Sequence, residues 1–115
     1  MKLTIKQFNF AVNEVANYND RDAYINDIAL SSIFDDSEEE VSEELINRLS
    51  KIWDVVNMTI KDIRMTTGLS QINFYTKFCI PRRTLQSWES EERTCPLHEK
   101  LLLAAACGLI EFGEG

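Results

Sequence analysis

The chain has little of what an enzyme, a secreted scaffold or a membrane protein needs. It holds one histidine, His98, and only four glycines, none in a phosphate-cradling loop. It also has no carboxylate pair with an evident positional logic, so catalysis has few candidates and a non-enzymatic role is expected. Cys79, Cys95 and Cys107 are odd in number and form no C-x-x-C pair, which argues against a disulfide framework. Cys95 and His98 have the spacing of half a zinc site, but no second pair completes four ligands. They read as a small apolar residue and a surface histidine, with no metal and no other cofactor expected. Apolar runs stay well short of the roughly 18–20 residues that span a bilayer. The longest, residues 101–107 between Lys100 and Gly108, reads as a buried helix. Residues 1–7 lack the apolar core of a secretory signal, so no membrane contact and a cytoplasmic location are expected.

What the chain does have is acid, unevenly placed. Its 115 residues carry a net charge of −7, with 44% hydrophobic and 27% charged residues, an ordinary globular composition and a length suited to one domain with a small extension. Residues 1–57 hold five basic and twelve acidic groups, whereas residues 58–115 hold seven of each. Within the second half, residues 59–88 set Lys61, Arg64, Lys77, Arg82 and Arg83 against Asp62 alone, a local charge of +4. Such asymmetry implies two jobs or two partners, although solubility alone also accounts for an acidic half.

The local signals are helical throughout. Thr4 with Gln7 has the form of a capping box, opening a helix to about residue 17 with Phe8, Val12, Val15 and Ala16 on one face. Residues 19–22 form a turn able to cap a second segment, 23–33, in which Tyr24, Ile25, Ile28 and Ala29 share a face. The run Asp35-Asp36-Ser37-Glu38-Glu39-Glu40 reads as a hydrated acidic linker or helix start. Ser42 can cap a third helix to about Val56, striped by Leu45, Leu49, Ile52, Trp53 and Val56. The elements then shorten. Thr59 with Asp62 opens a helix that ends near Gly68, and Ser70 caps residues 71–78. Pro81 suits the entry to a helix over 82–89, and Pro96 opens the last, 97–107, closed by Gly108. No stretch alternates as a strand would, so an all-α fold of about seven helices is predicted. The expected division is an acidic helical region, 1–57, and a second domain, 58–115, against which the 42–56 helix packs. Leu69, Phe74, Phe78, Leu85, Trp88, Leu101 and Leu102 are the expected core.

Residues 71–88 spell a helix, a short turn and a second helix. On a helical wheel Pro81, Leu85 and Trp88 point inward, while Arg83, Gln86, Ser87 and Ser90 lie opposite, with Arg82 on the flank. Such an outer face suits the major groove: arginine offers a fork to guanine, glutamine an amide to adenine, and serine hydroxyls to bases or phosphates. A solvated charged face is the plainer alternative. Residues 60–96 resemble the Cro and lambda-repressor-like helix-turn-helix family, the XRE-type regulators. The resemblance is carried by TGLSQ at 67–71, by F-x-I-P-x-R-T-L-Q-x-W-E at 78–89, and by Pro96. With the closing helix it covers residues 59–110, about half the chain, and the first 57 residues match no known pattern.

The resemblance implies a lambda-repressor-like DNA-binding domain whose recognition helix, 82–89, enters the major groove of double-stranded DNA. It makes Arg82 and Arg83 the leading base readers, followed by Thr84 and Ser87. Gln71 would touch a phosphate and brace the recognition helix, and Arg64 with Glu89 would tie the first helix of the domain to its end. Gln86 and Lys77 complete the expected DNA-binding set, Lys77 as a phosphate contact. Three positions depart from the pattern. Cys79 stands where the turn usually has glycine, and is expected to be a buried structural cysteine between Phe78 and Ile80. Tyr75 replaces a small residue, which would shift the helix crossing or push the tyrosine outward. Glu91 and Glu92 make acidic a loop that is often basic, and would repel phosphates. The expected function is a sequence-specific transcriptional regulator, a repressor or autoregulator acting as a homodimer. The alternative is an antitoxin or anti-defence inhibitor that binds a protein partner through residues 1–57, with or without DNA binding.

Overall fold

The computed structural model describes residues 2–34 and 42–115, so the acidic run at 35–40 lies outside the described residues. Among these there are seven α-helices and no strand: α1 (Ile5–Glu14), α2 (Arg21–Ala29), α3 (Glu43–Asn57), α4 (Ile60–Thr67), α5 (Gln71–Lys77), α6 (Arg82–Glu89) and α7 (Leu97–Ala106). Short 3-10 turns at Val15–Asn17 and Ser32–Phe34 extend the chain after α1 and α2. No helix among the described residues is long and apolar enough to cross a membrane.

The helix starts follow from local chemistry. Thr4 and Gln7 form a reciprocal capping box, as do Thr59 and Asp62, so each pair satisfies two amides that helix geometry leaves open. Asp20, Ser42 and Ser70 accept from the amides of Ala23, Leu45 and Asn73. The stops are equally local. Gly68 ends α4 at φ 72° and Gly108 follows α7 at φ 80°, the left-handed conformation that glycine adopts without a Cβ penalty.

The helices gather into two compact units, Met1–Val56 with Ile110–Gly115, and Asn57–Leu109. The final six residues belong to the first unit. There the Glu114 amide donates to the Leu3 carbonyl at 2.8 Å, and Arg48 pairs with Glu111 at 2.9 Å. Phe112 meets Phe8 with ring centroids 5.3 Å apart. Gly113 lies so close to the Thr4 carbonyl that a Cβ would collide with it. The first unit is centred on Tyr24, which is fully buried and donates from its hydroxyl to the Ala11 carbonyl at 2.6 Å. Burial holds its phenol far above the usual value, so it stays a neutral donor. Helix α3 belongs to this unit too, the Trp53 ring lying tilted with its centroid 5.2 Å from that of Tyr24 and Asp54 pairing with Arg21 at 2.9 Å.

The second unit packs Ile60, Ile63, Phe74, Leu85, Leu101 and Ala104 into its own core. Lys100 on α7 donates to the Met58 carbonyl at 2.8 Å, fastening the last helix to the start of the unit. Four expected core residues are not fully buried. Leu69, Phe78 and Trp88 are half-buried, and Leu102 is 58% exposed. Helix α7 is apolar around more than one side, and Leu101 and Ala104 are its buried residues. With its tail removed, this unit holds seven basic groups against five acidic ones, a net charge of +2.

Candidate nucleic-acid interface

The turn between α5 and α6 is set by a left-handed residue. The Cys79 amide donates to Thr76 and the Ile80 amide to Tyr75, at 3.3 and 2.9 Å. This is the double bond pattern that closes a helix around a left-handed residue. That residue is Cys79, at φ 56°, where a Cβ costs about 1–2 kcal/mol. The structure corrects the expectation of a buried cysteine, because Cys79 is exposed: the left-handed backbone turns its side chain away from the path between Phe78 and Ile80. Tyr75 is half-buried, so the bulk at this position sits partly in solvent.

The turn delivers α6 with one side committed to the core. Leu85 is fully buried, and the far end of the helix is fixed by an ion pair. Arg64 of α4 grips Glu89 through two hydrogen bonds of 2.8 and 2.9 Å, and its third nitrogen donates to the Leu69 carbonyl at 3.0 Å. Gln71, at the start of α5, adds a bond to Glu89 at 3.2 Å. The two charged side chains are only 12% and 5% exposed. Burial pushes the Glu89 carboxyl upward, but the bonds from Arg64 and Gln71 outweigh it and hold the group below its ordinary value. Arg64 and Gln71 thus both bond the end of α6, and the positive charge of Arg64 is paired inside the unit.

The opposite side of α6 is open. Arg83, Gln86, Ser87 and Ser90 line one surface cleft of about 350 Å³, joined by Glu92 from the loop beyond. Arg82 is exposed, and Lys77 is exposed with its ammonium 5.4 Å from the Phe78 ring. The structure therefore brings Arg83, Gln86 and Ser87 together and leaves Arg82 and Lys77 free to meet a ligand from solvent. Thr84 is apart from them. It lines a second groove, of about 420 Å³, with Cys79, Ile80, Pro81, Trp88 and the α7 residues Glu99, Leu102 and Leu103. Sequence reasoning grouped Thr84 with the readers by resemblance, although it lies one residue before the inward Leu85 and one turn before Trp88. It missed the position of Glu92, which no periodicity reveals because the residue follows the end of the helix.

Among the described residues no group of three or more histidine, cysteine or acidic side chains could hold a metal ion. Burial raises the Cys95 thiol to about 11. No protein-family model, no curated protein and no solved structure matches the chain.

Proposed function

We propose that residues 57–109 form a helix-turn-helix domain of the Cro and lambda-repressor type, and that the protein is a sequence-specific regulator bound to double-stranded DNA. In this reading α6 is the recognition helix and lies in the major groove. The observation that carries it is the two-sided character of α6. Leu85 and the Arg64–Glu89–Gln71 brace fix one side, while Arg83, Gln86, Ser87 and Ser90 present forked donors, an amide and hydroxyls from the other. A helix held this firmly can present hydrogen-bonding groups to base edges without a large ordering cost. The net charge of +2 on this unit, with Lys61, Lys77, Arg82 and Arg83 all exposed, supplies attraction to phosphates. Selection of bound duplexes from a random pool tests the proposal. Enrichment of one short sequence is expected, and a folded sample that enriches none overturns it.

One recognition helix covers only a few base pairs, so two copies on two-fold-related half-sites are proposed. The exposed Leu97 and Leu102 of α7 offer an apolar interface. Sedimentation of the protein with and without its selected duplex should show two chains on the DNA.

The first unit favours one further reading. It is compact in its own right and holds fourteen acidic groups against five basic ones, a charge suited to a basic protein surface. A dual role as regulator and inhibitor would be revealed by a stoichiometric protein partner that requires this unit and not α6.

A further inference from the structure

The two acidic residues after α6 face different hollows. Glu91 is left-handed at φ 65°. Its amide donates to the Trp88 carbonyl and the Arg93 amide to the Ser87 carbonyl, both at 3.3 Å, which folds the loop back against the end of the helix. Glu91 then lines a hollow of about 240 Å³ with Trp88, Cys95 and Lys100. Glu92 instead lines the outer cleft with Arg83, Gln86, Ser87 and Ser90. Only one of the two carboxylates, therefore, is on the face that would meet DNA.

The four other side chains of that cleft can all donate hydrogen bonds, whereas an ionised carboxylate only accepts. Against a duplex, Glu92 is repelled by phosphates and by acceptor edges, which include guanine O6 and N7 and thymine O4. Adenine offers an amino group beside an acceptor. Cytosine offers an amino donor alone, and it is the base edge that a glutamate matches best. A helix rises about 1.5 Å per residue, so Arg83 and Ser90 are about 10 Å apart along α6. Glu92, just beyond Ser90, and Arg83 stand at opposite ends of the reading face.

We infer that Glu92 is a specificity-determining residue, accepting a hydrogen bond from the amino group of a cytosine at a position other than the base read by Arg83. The inference rests on the DNA-reading function proposed above. Its physical content is discrimination by penalty: the carboxylate weakens binding to most sequences and is satisfied at one.

The test uses the whole chain. Wild type, Glu92→Ala and Glu91→Ala are titrated at one salt concentration against the duplex selected by wild type and against duplexes with each base pair replaced in turn. Wild type should prefer cytosine at one position by roughly 5- to 150-fold. Glu92→Ala should lose that preference, keep the preference at the position read by Arg83, and bind unrelated duplexes more tightly. Glu91→Ala should retain both preferences. A cytosine preference that survives in Glu92→Ala overturns the inference and leaves the DNA-reading function standing. Wild type without preference for any sequence overturns both.

Discussion

Replacing Arg64 by alanine isolates the brace behind α6. The pair is nearly inaccessible, with Arg64 and Glu89 side chains 12% and 5% exposed. Removing the guanidinium leaves the Glu89 carboxylate with the Gln71 amide and takes a donor from the Leu69 carbonyl. Breaking a buried pair from one side typically costs about 3–5 kcal/mol. Because Gln71 still satisfies one carboxylate oxygen, a loss of about 3 kcal/mol is expected. The Arg21–Asp54 pair has the same chemistry but side chains 46% and 51% exposed, so Arg21→Ala should cost only about 0.2–1 kcal/mol. Urea unfolding resolves the two, because Trp53 and Trp88 belong to different units; in a Trp53→Phe background the remaining fluorescence reports the second unit alone. The sign of the pH dependence follows from the depressed Glu89 carboxyl, whose unfolded value is 4.5. Its contribution is complete above that pH and is lost as pH falls through the lower folded value. Glu89→Gln should therefore flatten the acid limb of the stability profile below about pH 4.5. An Arg64→Ala loss no larger than that of Arg21→Ala would refute the reasoning.

Three further outcomes are expected. Cys79→Gly should stabilise the second unit by about 1 kcal/mol in the same urea assay, since it relieves a Cβ at φ 56° without emptying a core site; equal or lower stability counts against this. Tyr24→Phe should destabilise the first unit by about 1–2 kcal/mol, followed through Trp53 fluorescence, because the buried Ala11 carbonyl loses its hydroxyl donor. Lys77→Ala should weaken DNA binding alike across sequences and make the slope of log affinity against log salt shallower by about 0.9. A sequence-dependent loss would instead mark Lys77 as a base reader.

The features legible in the sequence were those settled within a few residues. The capping boxes at Thr4–Gln7 and Thr59–Asp62, the terminators Gly68 and Gly108, and the entry at Pro81 all follow from adjacent side chains. The brace was legible through resemblance, as the positions of Arg64 and Glu89. Side-chain direction at special backbone positions was not. In sequence Cys79 stands between two apolar neighbours, yet its backbone is left-handed and its side chain exposed, and the same conformation at Glu91 separates two adjacent glutamates into different hollows. The tail at 110–115 joins the first unit through Leu3, Phe8 and Arg48, contacts between 63 and 111 residues away along the chain that no local pattern encodes. Helix α7 is apolar over several successive residues, so periodicity alone could not tell Leu101 from Leu102.

The claim that α6 reads DNA is tested most directly by comparing the sequences selected from a random duplex pool by wild type, Arg82→Ala and Arg83→Ala. Wild type should enrich one motif. At least one arginine variant should lose about 1–3 kcal/mol on that motif and relax its preference at a single base position. If both variants recover the same motif with unchanged affinity, α6 is not the reading helix.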